Sequence, residues 1–387
     1  MKGRQGLPWR RTALLFSGHL LNDGFAAFFA PLLPLLIERM GLSLALAGAL
    51  GTVRILVNSL LQPGLGHFID RSQRPALVVI GPMLTVAAMS FIGRAGSFGS
   101  LFVLMIVAGV GTALFHPAAA ALVGMTDHPR RGLLMAFFSS GGTMGGALAP
   151  LIIVTYVQAL TLERTPWLLI PGLALVVGIS VLLRRQLPPR AAATRLPKLD
   201  RLPRSLVVLW LVIVLRSIAG TSYASFLAVL VAERGGSPLT GAAAISVFLL
   251  FGAVAGFAAG SLSDRFGRKA VILGSLALAT PSLYAFLLVP TAGLLPLVAV
   301  AGFFTLGTTP VGVVAAQECL PGRTALVSGL VMGTAWGVGG MALTPVGWLA
   351  DQYGLLPVMK AVALLPAAAV PLILFYRQGE RHGGAQV

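Results

Sequence analysis

The sequence predicts an all-α membrane protein of twelve transmembrane helices, built as two pseudo-symmetric six-helix bundles. Three observations carry that prediction. The 387 residues are 57% hydrophobic and 10% charged, with a mean hydropathy of +0.90, whereas soluble domains hold about 25% charged residues. Apolar runs, separated by short polar or glycine- and proline-rich breaks, are each long enough for a hydrocarbon core of roughly 30 Å. The chain also repeats itself, half against half, in one membrane orientation.

In order, the spans are expected at 12–37, 44–68, 75–93, 98–123, 132–159, 167–184, 205–232, 238–262, 270–289, 293–318, 323–350 and 355–376. The opening MKGRQGLPWRR before an apolar run has the outline of a signal peptide. That run is too long for one and contains Asp23, so it reads as a retained first span. Between the sixth and seventh spans, RRQLPPRAAATRLPKLDRLPR is too basic and proline-rich to cross a bilayer. It divides the chain into an N-terminal bundle over 1–184, a cytoplasmic linker over 185–204 and a C-terminal bundle over 205–387.

The formal net charge of +17 does not imply nucleic acid, because of where the basic residues fall. With the start inside, the cytoplasmic segments hold Lys2, Arg4, Arg10, Arg11, Arg71, Arg74, Arg130, Arg131, the linker, Arg265, Arg268, Lys269, Arg323, Arg377 and Arg381. Outside lie Arg39, Arg94, Arg164, Arg234 and Lys360, and within helices Arg54 and Arg216. This asymmetry is the positive-inside distribution and places both termini in the cytoplasm. A composition rich in alanine, glycine, leucine and arginine suggests a prokaryote with GC-rich DNA, and a multi-pass place in the cell inner (plasma) membrane is expected. The expected partners are lipid, protons and a small-molecule substrate, with the chain acting as a monomer. The single Cys319 excludes an intramolecular disulfide and a cysteine metal cluster.

The repeat is specific. Gly66-His67-Phe68-Ile69-Asp70-Arg71 after the second span answers Gly260-Ser261-Leu262-Ser263-Asp264-Arg265 after the eighth, 194 residues on. Gly145-Gly146-Ala147-Leu148-Ala149-Pro150 answers Gly340-Met341-Ala342-Leu343-Thr344-Pro345, and Glu38-Arg39 answers Glu233-Arg234, both 195 residues on. The six-plus-six pattern with the loop G-x-x-x-D-R, completed by Phe266-Gly267-Arg268-Lys269, resembles the major facilitator superfamily over the whole chain. The resemblance implies a transporter, not an enzyme. It also implies that Gly66, Asp70, Arg71, Asp264, Arg265 and Arg268 stabilise one face of an alternating-access cycle. A narrower set looks like the fosmidomycin resistance branch: Ser17 to Asp23, Leu60 to Pro63, Ala95 to Gly99, Phe115-His116-Pro117 and Gly141 to Gly146. That branch implies expulsion of small molecules, a phosphonate antibiotic included, in exchange for protons. The stretch Leu104 to Gly111 lacks the arginine of classical multidrug antiporters.

The residues that could carry transport are the charges inside spans, each of which costs about 2.5 to 3.5 kcal/mol to insert. His19 and Asp23 are four apart and share a helix face with Asn22, Ala26 and Ala30. Histidine titrates near neutrality, so Asp23 with His19 is the expected proton site, and His116 beside Pro117 could extend it to a relay. Arg54, Asn58 and Gln62 lie at four-residue spacing in the second span. Arg54 either pairs with Asp23 or faces a cavity and holds an anion. Arg216 in the seventh span shares a face with Gly220 and Tyr223 and has no carboxylate at its depth in that half, so it is expected to face the cavity; the alternative is snorkelling toward the cytoplasm or bonding to exposed carbonyls. Arg54, His116, Arg216, Asn22, Asn58 and Tyr223 are the expected substrate contacts, and the aromatics Phe25, Phe226, Tyr284, Trp336 and Trp348 either line the cavity or pack. A metal held by His19, Asp23 and His116 is conceivable, but their spacing has no metal signature, and no cofactor or metal is expected.

The composite expectation is rocker-switch, proton-coupled efflux of a small organic or phosphonate-type compound. The alternatives are a symporter or uniporter importing a sugar, organic acid or metal complex, and a membrane enzyme or sensor. The last lacks any nucleophile elbow, phosphate loop or zinc motif.

Overall fold

The computed structural model describes residues 6–72, 76–124, 131–184, 202–320, 327 and 330–376. Most of the linker expected over 185–204 lies outside the described residues. The first six spans are α1 (Gly6–Ala26) with α2 (Phe29–Met40), α3 (Leu44–Ser72), α4 (Leu77–Ser90), α5 (Phe98–Gly124), α6 (Arg131–Leu160) and α7 (Leu169–Arg184). The next four are α8 (Arg204–Glu233), α9 (Pro238–Phe266), α10 (Arg268–Leu288) and α11 (Leu294–Leu306) with α12 (Thr309–Cys319). The π-helical turn Leu330–Ala335, α13 (Trp336–Met341) and α14 (Leu343–Tyr353) follow, then α15 (Leu355–Val362) with α16 (Leu365–Leu374). Among the described residues, 11 stretches are long and apolar enough to cross a membrane. The twelfth expected span, 323–350, begins outside the described residues and continues as the π turn, α13 and α14.

Three expected spans are each two helices. The breaks fall at residues 27–28, 307–308 and 363–364, each a few residues before Pro31, Pro310 and Pro366. Proline lacks the N–H that would bond the carbonyl four residues earlier and its ring crowds that carbonyl. In a membrane the freed groups need other donors. Thr309 Oγ1 donates to the Leu306 carbonyl at 2.6 Å, and Thr280 Oγ1 to the Ala363 carbonyl at 2.7 Å.

Glycines set how closely the helices approach. A side chain at Gly145 of α6 would collide with the Leu20 carbonyl of α1 and lie 2.9 Å from Gly24 N. Gly141 of the same helix sits on the Phe16 carbonyl. Across the two bundles, Gly48 of α3 fits against the Leu343 carbonyl and Gly347 of α14 against the Leu44 carbonyl. Hydrogen bonds join the bundles along this same contact. Leu44 N and Ala45 N donate to Asp351 Oδ1 and Oδ2 at 2.7 and 2.8 Å, Thr52 Oγ1 to the Gly340 carbonyl at 2.8 Å and Thr344 Oγ1 to Thr52 Oγ1 at 2.9 Å. They gather toward the membrane face that carries the turns at 41–43 and at Gly354.

The approach of α1 to α6 should be testable with neighbouring glycines. Gly145→Ala has to separate two backbones and is expected to cost about 1–3 kcal/mol of stability. Gly146, one residue on, has nothing within 4 Å of a built side chain and should tolerate alanine. Thermal unfolding of the two purified variants checks this; equal midpoints would contradict it.

Candidate functional site

The close approach of α1 and α6 delivers the polar face of the first span to a point where α5 also arrives. His19 Nε2 lies 3.1 Å from Asp23 Oδ2, and His116 Nε2 lies 3.1 Å from Asp23 Oδ1. Asn22 Nδ2 donates to the same Oδ1 at 2.9 Å. Three polar side chains from two helices thus surround one carboxylate. The His19 ring is fixed from outside the pair: it stacks on Phe138 at 4.5 Å, meets His116 edge-on at 5.0 Å, and its Nδ1 lies 2.9 Å from the Phe138 carbonyl. Gly142 leaves room for all this, since a side chain there would meet His19 Nε2 and, at 2.6 Å, Asp23 Oδ2.

This geometry has a chemical consequence. A carbonyl oxygen only accepts, so His19 Nδ1 carries a hydrogen and donates it to Phe138. In a neutral imidazole Nε2 is then a bare acceptor facing a bare carboxylate oxygen. The contact becomes a hydrogen bond only when one more proton sits in it, on Nε2 or on Oδ2. The arrangement accommodates one exchangeable proton. The ligand atoms of His19, Asp23 and His116 lie within 4.8 Å of one another, a spacing that a metal cation could gather. Both Nε2 atoms are already directed at the carboxylate, however, and Arg54 is within electrostatic reach of Asp23, which favours a proton over a dication.

Between the bundles lies a cavity of about 300 Å³. Arg54 of α3 and Arg216 of α8 both line it, together with Ser217, Thr221, Ser225, Thr309 and apolar side chains that include Phe29, Leu249 and Trp336. Two of the helix breaks open onto it, through Ala26 and Ala27 on one side and Leu306 and Thr309 on the other. Among the described residues, no aspartate or glutamate lines it. Arg216 is only 5% exposed; its Nη1 donates to the Thr305 carbonyl at 3.2 Å and to Thr309 Oγ1 at 2.8 Å. It therefore faces the cavity while satisfying oxygens at the break before Pro310. Arg54 Nε is buried with no hydrogen-bond partner, and Arg54 forms no ion pair with Asp23, whose close partners are the two histidines.

Several expected substrate contacts are placed elsewhere. Tyr223 is fully buried, its hydroxyl donating to the Met359 carbonyl at 2.7 Å, because a phenol inside a bundle must spend its hydrogen on a neighbour. Asn22 is fully buried and engaged with Asp23. Asn58 accepts from Gln62 Nε2 at 2.8 Å, and His116 belongs to the carboxylate cluster; neither lines the cavity. Of the aromatics considered, Trp336 lines it, Phe25 and Phe226 are buried in the core, Tyr284 donates to the Lys360 carbonyl and Trp348 is exposed. The polar lining of α8 was missed, although Ser217, Thr221 and Ser225 stand at four-residue intervals beside Arg216. In the loop motifs, Asp264 Oδ1 accepts from Arg268 Nη1 at 2.6 Å, and Arg268 Nε reaches Glu318 at 3.2 Å, while Arg265 is exposed. The side chains at Gly66, Asp70 and Arg71 lie outside the described residues.

The sequence and fold agree with those of known proteins. The family model of the Major Facilitator Superfamily matches residues 15–216 and 209–386. The Fosmidomycin resistance protein of Escherichia coli (strain K12) is 30% identical, the match covering 90% of this chain and 88% of that protein. An uncharacterized MFS-type transporter of Bacillus subtilis (strain 168) is also 30% identical, over 91% and 89%. Among solved structures, a bacterial homologue of the human lysosomal transporter Spinster, inward-facing and occupied, superposes with a TM-score of 0.78 at 17% identity, covering 97% of each chain. With two matched bundles, a cavity between them and these relatives, the chain belongs to the Major Facilitator Superfamily and is a multi-pass membrane transporter, not an enzyme.

Proposed function

We propose that this chain is a proton-coupled carrier of a small organic anion, of phosphonate or carboxylate type, which it exports against proton entry by rocking two bundles about the cavity. The observation that carries this reading is the pair Arg54 and Arg216, one from each bundle, in a cavity with no carboxylate among its described lining residues. A guanidinium fits such oxygens bidentately, and an anion between the two arginines touches both moving bodies. Similarity to a fosmidomycin resistance protein supports export and a part in antibiotic resistance. On the charge distribution, both termini of the chain are cytoplasmic; it acts as a monomer in the bacterial inner membrane, its bundles bounded at 184 and 205. The turns at 41–43 and Gly354 then face outward. The loop groups Gly66, Asp70, Arg71, Asp264, Arg265 and Arg268 would act at the opposite face.

In this reading the His19–Asp23 pair takes and releases the proton, His116 and Asn22 hold the carboxylate in place, and Arg54 and Arg216 hold the anion. Exchange requires proton and anion to favour different states by a few kcal/mol. One observation favours a second reading, proton–anion cotransport. Arg54 is an electrostatic partner of Asp23, so a proton placed on the cluster frees Arg54 for the anion and the two ligands assist one another. Proteoliposomes with a pH gradient separate the readings: labelled fosmidomycin moves against the proton flow under exchange and with it under cotransport. Movement that ignores the gradient in both directions contradicts proton coupling altogether.

Three variants test the roles. Asp23→Asn should abolish gradient-driven accumulation while leaving the protein folded and passive exchange intact; undiminished accumulation overturns the proton assignment. Gly142→Ala, which forces His19 and Asp23 apart, should depress accumulation more than passive exchange. Arg216→Ala should raise the anion's Kd roughly 10- to 100-fold, the worth of one charged hydrogen bond, measured by isothermal titration; an unchanged Kd removes Arg216 from the binding site.

A further inference from the structure

One contact between the bundles is made by a carboxylate, that of Asp351. Its carboxylate reaches from the end of α14 to the first turn of α3 in the other bundle, where Oδ1 accepts from Leu44 N at 2.7 Å and Oδ2 from Ala45 N at 2.8 Å. The first amide groups of a helix have no partner within it and carry its positive dipole end, so a carboxylate there is bound by both hydrogen bonding and charge. The remaining donors of the turn are satisfied locally. Leu46 N donates to Ser43 Oγ at 3.2 Å and Ala47 N to the Ser43 carbonyl at 3.0 Å. Helix α3 thus keeps its own cap, and only the donors at Leu44 and Ala45 depend on the opposite bundle.

The sequence around Asp351 repeats a pattern already seen. Gly347-Trp348-Leu349-Ala350-Asp351 is a third G-x-x-x-D, beside Gly66 to Asp70 and Gly260 to Asp264. It closes the eleventh span as Gly260 to Asp264 closes the eighth. Each is the middle span of a three-helix unit, and such units run in opposite directions through the membrane within one bundle. The structure gives the spacing a physical reason. Gly347 lets α14 rest on the Leu44 carbonyl, and one turn later Asp351 is placed over the amides of the same residue and the next.

We propose that Gly347 and Asp351 form the latch that holds the 41–43 face closed, a counterpart on that face of the loop motif at the other. Opening the cavity toward this face requires Asp351 to leave Leu44 N and Ala45 N, both of which water can then solvate. The latch rests on the alternating-access reading and on no assumption about substrate or coupling ion; the orientation given above decides only that the face it closes is the outer one.

The test is cysteine accessibility in the full-length chain. A Ser225→Cys reporter in the cavity, on a Cys319→Ser background, is labelled with a membrane-impermeant methanethiosulfonate in right-side-out and inside-out vesicles. Asp351→Asn, which leaves one acceptor oxygen and no charge, should raise the labelling rate from the outer side roughly fivefold, the worth of one weakened hydrogen bond. Asp351→Glu should restore most of the parent rate, and Ser43→Ala, which removes only the local cap, should leave it unchanged. Should Asp351→Asn not fold, Leu44→Pro deletes one of the two donors at a helix position where proline is accepted and should raise the rate more modestly. A rise seen only from the inner side supports the latch and overturns the orientation. Parent rates from both sides in folded Asp351→Asn, or an equal rise in Ser43→Ala, overturn the latch.

Discussion

A carboxylate inside an apolar bundle is tolerable only while its charge is answered, and the first half of this transporter is arranged to answer Asp23. Helix α1 alone supplies His19 and Asn22. The third partner, His116, comes from α5, and the group that fixes the His19 ring, the Phe138 carbonyl, comes from α6. The Phe138 carbonyl could not arrive without Gly141, Gly142 and Gly145, which remove the side chains that would hold α6 away from α1. Small residues at helix contacts are the usual means of close packing in lipid, where no hydrophobic force draws helices together. Here they also determine that a histidine Nδ1 is committed to a carbonyl, and therefore that its Nε2 meets the carboxylate only with a proton between them.

The cavity follows from a second constraint, the satisfaction of backbone groups where proline interrupts a span. The breaks near Pro31 and Pro310 bring short side chains, and at the second break carbonyls bonded by side chains instead of by the helix, to the interface of the bundles. Arg216 completes the second break by bonding Thr305 and Thr309 and still lines the cavity. Its charge is held in place by neutral oxygens, which orient it without cancelling it. Arg54 stands opposite, coupled to Asp23 through space instead of by an ion pair. In the proposed cycle Arg54 is the link between the proton cluster and the anion site.

Much of this was legible in the sequence because it depends on period and position along one helix. The spans, the repeat, and the shared face of His19, Asn22 and Asp23 follow from spacing alone. What was not legible depends on neighbours. Nothing along the chain says that Tyr223 spends its hydroxyl on Met359, or that Asn58 turns to Gln62, since both outcomes are set by which helix packs alongside. The breaks at 27–28 and 307–308 were signalled by Pro31 and Pro310, but proline marks only a tendency until the rescuing donors are known. Asp351 carried the same G-x-x-x-D spacing as Asp264 and escaped notice because it ends a span on the opposite face and is not followed by arginine.

The central claim is that His19 donates from Nδ1 to Phe138 and so shares one exchangeable proton with Asp23. The most direct measurement is nitrogen NMR of the protein with ¹⁵N-labelled histidine in lipid bilayers, His19 assigned by its loss in His19→Gln. The account predicts a protonated, hydrogen-bonded Nδ1 across the whole titration, with a single proton leaving the His19–Asp23 contact as pH rises. A neutral ring with its hydrogen on Nε2 and a bare Nδ1 would contradict it, because that tautomer bonds Asp23 without holding any extra proton.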